Sequence, residues 1–404
     1  MSPLNSNNKV IHFTGICGTG MASLAVLLKL RGHQVRGSDE NVYPPMSDFL
    51  AQNKITVQSG FSAKNLDPEP DLVVIGNALS RGNPEVEAVL ESKLSYISMS
   101  ELLKEYFIRG KTSLVVSGTH GKTTTSSLLA WVFESAEKAP GFMIGGIAEN
   151  FKASCRDGDG SYFITEGDEY DTAFFDKRSK FFHYLPDQLI LNNLEFDHAD
   201  IFDSLADIKK AFRLMLRLIP RNGLIAANGD DANVQTVLES AYSPVVKFGF
   251  GKTSDVRALN LETSESGTAF EVEDKRRKES EQVKKFELKL SGAYNVRNAL
   301  GVIILARYNG ITDQTIQAAF NSFQSVRRRQ ELRGEVNGIA IYDDFAHHPT
   351  AVRETVTAIR QKHPGRRLIA VFEPRSNTSV LKIHQEALID SFREADEVIL
   401  TTPH

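Results

Sequence analysis

Lys122 follows Gly121 and precedes three consecutive threonines in the stretch VVSGTHGKTTTSSLL, residues 115–129. A short apolar run enters this glycine-rich turn and an apolar helical pattern leaves it. Gly118 and Gly121 permit positive φ, so the backbone can curl and aim its amide N–H groups inward at a helix start, where the dipole favours anions. Thr119 and His120 complete the turn, and Thr124 follows it into the helix. The Lys122 ammonium would neutralise terminal phosphates. The Thr123 hydroxyl would ligate Mg²⁺, a hard cation that shares phosphate oxygens. The full P-loop consensus needs a glycine where this chain has Val116, so that consensus is not met. The strand–turn–helix setting still points to a nucleoside triphosphate.

Two further clusters stand at the ends of apolar runs. TEGDEYD puts Glu166 just past a strand ending at Thr165, and NNLEFDHAD offers Asn193, Asp197 and His198 past the next one. Ligands of open α/β sheets bind at the carboxyl ends of strands. Two tips and one phosphate turn therefore converge on one metal–phosphate cluster. Near the N-terminus, Gly15, Gly18 and Gly20 are spaced G-x-x-G-x-G, which is not the dinucleotide order. Ser38 and Asp39 end a second strand where an acid would meet a ribose hydroxyl. Asn77 stands at the polar tip of DLVVIGNAL. This is a nucleotide-type crevice for a UDP compound or NAD, or a set of glycines that serve close packing.

The elements that must position these groups fall into three α/β segments: 1–110, 111–324 and 325–404. The first reads β-turn-α-β, the doubly wound signature. The second expects strands at 112–116, 161–165, 188–192, 224–227 and 245–250, with helices between several of them. Its mixed-charge stretch 273–285 reads as a solvated hairpin or loop. The third alternates strands and helices as in a parallel sheet. It is thin for an α/β domain and stops on a strand, so further elements are expected beyond His404.

The 404 residues carry 47 Lys and Arg against 51 Asp and Glu, a net charge of −4. That balance gives no electrostatic case for nucleic acid or an anionic membrane, so an anion must be caught by local devices. Two cysteines, Cys17 and Cys155, exclude a disulfide scaffold and fit a reducing cytoplasm. No apolar run approaches the ~20 residues that span a bilayer.

GTHGKTTT, EGDEYD, NNLEFDH, GAYNVRNALG, RRRQELRGE and YDDFAHHPTAV, in this order, resemble the motifs of the Mur ligases. The resemblance runs from about residue 10 to the end. It implies a three-domain, ATP-dependent, amide-forming enzyme of bacterial peptidoglycan metabolism: a Rossmann-like first domain for UDP-N-acetylmuramate, a central P-loop-type ATPase domain, and a Rossmann-like third domain that binds the acceptor and closes over ATP. GICGTGMASLA and GSDEN resemble the two branches that use UDP-N-acetylmuramate directly. One adds L-alanine. The other adds the recovered tripeptide L-alanyl-γ-D-glutamyl-meso-diaminopimelate. ENVYPPMSDFL, AFFDKRSKFFHY, LEFDHADIFD and FEPRSNT favour the tripeptide branch.

Residue by residue, the resemblance implies ATP contacts from Gly118, Thr119, His120, Gly121, Lys122, Thr123, Thr124, Asn193, Asn295, Asn298, Arg329 and Asp344. It implies Mg²⁺ on Thr123, Glu166 and His198, with Lys122, Glu166, His198 and Asp344 as the catalytic set. His347 and His348 stand beside Asp344, and Tyr294 replaces the family's usual histidine. Gly15, Gly18, Gly20, Ser38, Asp39 and Asn77 are expected at the UDP-sugar. Arg375, Ser376 and Asn377 are expected at the peptide. A hinge is expected near 322–327.

Overall fold

The computed structural model describes residues 8–374 and 384–402, and Arg375, Ser376 and Asn377 lie outside them. Five parallel strands form the first sheet, in the order Thr56–Ser59, Gln34–Asp39, Val10–Thr14, Leu72–Ile75 and Tyr96–Ser98. Both faces are covered, which is why VIHFT and LVVI read as nearly unbroken apolar runs. Strand order reverses between Val10–Thr14 and Leu72–Ile75. Gly15 and Asn77 follow those two strands, at the carboxyl-end crevice where nucleotides bind in such sheets.

The central sheet has ten strands. Its parallel part runs Val256–Ser264, Val245–Gly249, Leu224–Asn228, Gln188–Leu191, Thr112–Ser117, Tyr162–Gly167 and Gly141–Ala148. Antiparallel strands extend both edges, and the mixed-charge stretch joins two of them, Gly267–Asp274 and Val283–Leu288. Register sets the site. Ser117 pairs with Leu191 on one side, and Val116 pairs with Glu166 on the other. The phosphate turn, the Glu166 tip and Asn192–Asn193 therefore leave three neighbouring strands at one edge.

Helices Lys122–Ser135, Ala293–Tyr308 and Asp313–Ser322 cover one face of this sheet around Val116, Leu129, Ile190 and Ile303. On the other face Phe163, Leu189 and Leu191 join Phe13, Leu24 and Phe107 of the first domain in one continuous apolar cluster. Arg31 reinforces that junction. Its guanidinium pairs with both oxygens of Asp157 and lies 4.3 Å from the Phe107 ring centre. The hairpin 171–179 adds Phe175, edge-on to Tyr96 at 5.0 Å.

The third segment differs from the expected single parallel sheet. Among the described residues it has an antiparallel pair, Glu331–Val336 with Ile339–Asp343, and a parallel pair, Ile369–Phe372 with Glu397–Leu400. Asn337 and Gly338 explain the first: both take positive φ, 50° and 76°, the geometry of a two-residue hairpin turn. The stretch 322–327, where a hinge is expected, is bonded to the central sheet. Gln324 donates its N–H to Asn150, Arg327 donates to the Ile147 carbonyl, and Val326 bridges Ala148. The chain is thus fixed to the central sheet through Arg327. Three residues here take positive φ: Ser325 inside that stretch, and Arg328 and Gln330 just after it. Among the described residues no helix is long and apolar enough to cross a membrane.

Candidate functional site

Gly121 begins the helix Lys122–Ser135 at φ 79°, with Gly118 at φ 132° upstream. A run of threonines is a poor helix start by propensity, because β-branched side chains lose rotamer freedom. Here each hydroxyl has a separate task. Thr125 bonds back to the Gly121 carbonyl at 2.8 Å and accepts from Asn192 at 3.0 Å. Thr123 donates to Glu166 Oε2 at 3.1 Å and accepts from Arg329 at 3.4 Å. Thr124 lines the adjoining cleft. Asn193 brackets the turn: its Oδ1 accepts from the His120 N–H at 2.7 Å, and its carbonyl accepts from the Thr119 N–H at 3.1 Å.

Lys122 is folded back onto its own loop. Its ammonium donates to the Gly118 carbonyl at 2.7 Å and to Glu169 at 2.8 Å. Burial alone would lower its pKa. The carboxylates of Glu169, Asp168 and Glu166 outweigh that and hold it above the ordinary lysine value, so the amine stays charged. Glu169 is a functional partner that sequence reading missed. It sits inside EGDEYD, but only the fold turns it under the loop.

The Glu166 carboxyl is pushed up by loss of water. The Gly145 N–H at 2.6 Å, Lys122 and Arg329 offset the shift only in part. A folded pKa above the unfolded value means that the carboxyl's contribution to stability is complete below the unfolded pKa and is lost as pH rises through the folded one. Glu166→Gln imitates the protonated acid. It is therefore expected to raise the melting temperature of the ligand-free protein near pH 8 and to change it little near pH 4. A lower melting point for the variant at pH 8 would contradict this cause. Thr123 and Glu166 together present hard oxygen donors, the set magnesium takes. Among the described residues His198 makes no hydrogen bond to either. It sits at φ 56° with its ring 4.3 Å from that of Tyr170.

Next to the turn lies a cleft shared by the central and third segments. Its walls include His120, Asn193, Tyr294, Asn295, Asn298, Arg329 and Asp344. Asn295 and Asn298 are almost fully buried, and one amide atom of each, Oδ1 and Nδ2 respectively, has no protein partner. Orphaned buried polar atoms are costly unless a ligand or water satisfies them. An acceptor beside a donor suits a heteroaromatic base. Asp344 accepts the N–H groups of Gln330 and Ala346, each at 2.8 Å, so it shapes the turn that carries Arg329. Tyr294 is half-buried, and its hydroxyl accepts from the Gln330 side chain.

In the first domain several expected contacts are committed to the protein itself. The Ser38 hydroxyl is fully buried and donates to Glu85 at 2.7 Å, and its carbonyl accepts from Gly15 and Ile16. It therefore has no group left for a sugar. The reason is Glu85, fully buried and bound also by His12, Thr14 and Asn65. A buried carboxylate needs such donors. Asp39 accepts from the N–H groups of Cys17 and Asn41 and so holds the glycine turn. At Gly20 a Cβ would lie 3.0 Å from both Met99 and Met143, so this glycine serves packing at the domain junction. Gly18 caps the helix Thr19–Leu30, and Asn77 is exposed at its strand tip.

Three family models match in chain order: "Mur ligase family, catalytic domain" over residues 10–110, "Mur ligase middle domain" over 116–306, and "Mur ligase, glutamate ligase domain" over 328–404. The UDP-N-acetylmuramate–L-alanyl-γ-D-glutamyl-meso-2,6-diaminoheptandioate ligase of Escherichia coli K12 is 47% identical over 395 residues, covering 97% of this chain and 85% of the relative. The UDP-N-acetylmuramate–L-alanine ligase of Clostridium acetobutylicum is 34% identical, covering 98% and 83%. The crystal structure of a murein peptide ligase from Psychrobacter arcticus 273-4 superposes with a TM-score of 0.78 at 40% identity, covering 97% of this chain and 84% of that one. With all three segments matched in order and relatives this similar along nearly the whole of this chain, the chain belongs to the Mur ligase family.

Proposed function

We propose that this chain is the ATP-dependent ligase that joins the lactyl carboxylate of UDP-N-acetylmuramate to the amine of L-alanyl-γ-D-glutamyl-meso-diaminopimelate, a peptidoglycan-recycling reaction. The observation that carries the ATP half is the shared edge. One sheet margin holds the glycine turn with Lys122, the Thr123–Glu166 pair and a cleft with two unsatisfied asparagines. The acceptor half rests on the closer likeness to the tripeptide ligase, 47% against 34% for the alanine ligase.

A carboxylate and an amine do not condense unaided, because an oxide is a poor leaving group. The sugar carboxylate attacks the γ-phosphorus of ATP, ADP departs, and an acyl phosphate forms. The acceptor amine attacks the acyl carbon, inorganic phosphate leaves with the C–O bond, and the amine loses its proton to solvent or base. Lys122 exchanges Glu169 for the terminal phosphates and offsets the repulsion between two approaching anions. Arg329, already at the Thr123 hydroxyl, adds charge from the third segment. Thr123, Glu166 and His198 are the residues we assign to magnesium, which when bound supplies charge neutralisation on the phosphate oxygens. The remainder is orientation, which can contribute ~7–11 kcal/mol.

In this reading residues 1–110 hold the UDP-sugar, 111–324 hold ATP, and 325–404 receive the peptide, with Arg375, Ser376 and Asn377 at its carboxylates. The decisive experiment supplies UDP-N-acetylmuramate and ATP with either the tripeptide or free L-alanine and follows phosphate release. Release with tripeptide, at a kcat/KM well above that for L-alanine, is expected. The reverse preference would make this the alanine-adding branch.

A further inference from the structure

His120, Glu195 and His348 meet where the third segment rests on the central domain. His120 comes from the phosphate turn, Glu195 from the loop after Asn193, and His348 from the cap of the helix Pro349–Lys362. Glu195 Oε2 lies 3.7 Å from His120 Nε2 and 3.6 Å from His348 Nδ1, and all three atoms lie within 4.8 Å of one another. Metal–ligand bonds of 2.0–2.1 Å in a tetrahedral zinc site set its donors about 3.3 Å apart. A shift of a few tenths of an ångström closes two of these edges.

His348 Nδ1 and His120 Nε2 are the two ring nitrogens nearest Glu195. His348 Nε2 faces the Phe196 carbonyl at 3.3 Å, and a carbonyl only accepts, so the proton sits on Nε2 and Nδ1 is left as the lone-pair nitrogen. Metal-bound histidines are commonly oriented in this way, by a backbone carbonyl on the far nitrogen. Nδ1 accepts only one long bond, 3.3 Å from the Thr350 N–H. His120 Nε2 is buried and has no hydrogen-bond partner, on a side chain 10% exposed. The Thr350 hydroxyl donates to the same Glu195 oxygen, Oε2, at 2.6 Å and fixes its position.

We propose that His120, Glu195 and His348 form a three-ligand site for a borderline divalent cation of the zinc, cobalt and nickel class, shared between the central and third segments. Two imidazoles and one carboxylate favour such ions over magnesium, which takes oxygen. The site is separate from the Thr123–Glu166 pair. Two ligands from one segment and one from the other make the ion a stitch across the joint. Because His120 also lines the nucleotide cleft, an ion held there restrains the phosphate turn.

The test titrates the chelator-treated full chain, without nucleotide, with Co²⁺ and reads its visible absorption. One equivalent should give the intense bands of four-coordinate cobalt, and Zn²⁺ should abolish them stoichiometrically. His348→Ala and Glu195→Gln should each lose the bands and weaken zinc by more than the ~10–100-fold that losing an outer-shell partner costs. Glu166→Gln should keep both. Zinc should also raise the melting temperature of the unaltered chain but not of His348→Ala. If His348→Ala does not fold, the shape-preserving Glu195→Gln decides by the same readings. Absence of the bands in the unaltered chain, or equal binding by Glu195→Gln, overturns the proposal.

Discussion

Lys122→Ala is expected to lower kcat by ~10³-fold or more, the scale of removing a positioned charge from a phosphoryl-transfer site. Calorimetric binding of UDP-N-acetylmuramate should be unchanged, because that crevice belongs to another sheet. The structure adds a second effect. Glu169 is 3% exposed and forms an ion pair with Lys122. Removing one member of a buried pair costs ~3–5 kcal/mol, since the remaining charge stays desolvated. The single variant should therefore melt earlier as well as turn over slowly. Combining Lys122→Met with Glu169→Gln separates the two: the melting temperature should recover and turnover should not. Recovery of turnover in the double variant would mean that the lysine serves folding alone and that the phosphate assignment is wrong.

The second large effect is expected at Gly118. Its φ of 132° is unfavourable for any residue with a Cβ, and a Cβ there would lie 2.8 Å from the Asn193 carbonyl oxygen and 2.9 Å from the Asn193 nitrogen. Both obstacles are backbone on a central strand's exit, so neither can rotate aside. Gly118→Ala must displace the turn from Asn193, which positions the His120 and Thr119 N–H groups. A displacement near 1 Å can cost ~10²-fold, and we expect at least that in kcat/KM for ATP. The strain itself should cost ~1–3 kcal/mol of stability. Gly310 supplies the comparison: it has φ 74° and nothing within 4 Å of a built Cβ. Gly310→Ala should lose some stability and keep its affinity for ATP. Equal ATP kinetics for both variants would show that close approach to Asn193 is unimportant.

The parts of the site that were legible in sequence are those fixed by local order. A strand followed by GTHGKTTT can hardly lead elsewhere than to a curled turn and a helix, and an acid just past an apolar run falls at a sheet edge. The partners of these groups were not legible. Glu169 beneath Lys122, the Gly145 N–H on Glu166 and the pairing of Asn192 with Thr125 depend on which strands become neighbours. Ser38 shows the same limit from the other side. Its place at a strand end suggested an outward hydroxyl, but Glu85 in a distant helix turns it inward. The Asn337–Gly338 hairpin was written in two adjacent residues and was overlooked because alternating strands and helices suggested a parallel arrangement. The stretch 273–285, read as a solvated hairpin or loop, is the tip of the hairpin formed by Gly267–Asp274 and Val283–Leu288, whereas the strand Val256–Ser264 beside it was not read.

The apolar cluster that runs unbroken from Phe13 to Leu191 has a mechanical implication. The proposed sugar crevice and the phosphate turn ride on one foundation, whereas among the described residues the buried nucleus of the third segment is Val352, Val356, Phe372 and Phe392. In the reaction proposed above, the acyl phosphate forms on the shared core and the acceptor comes from the body with the small one.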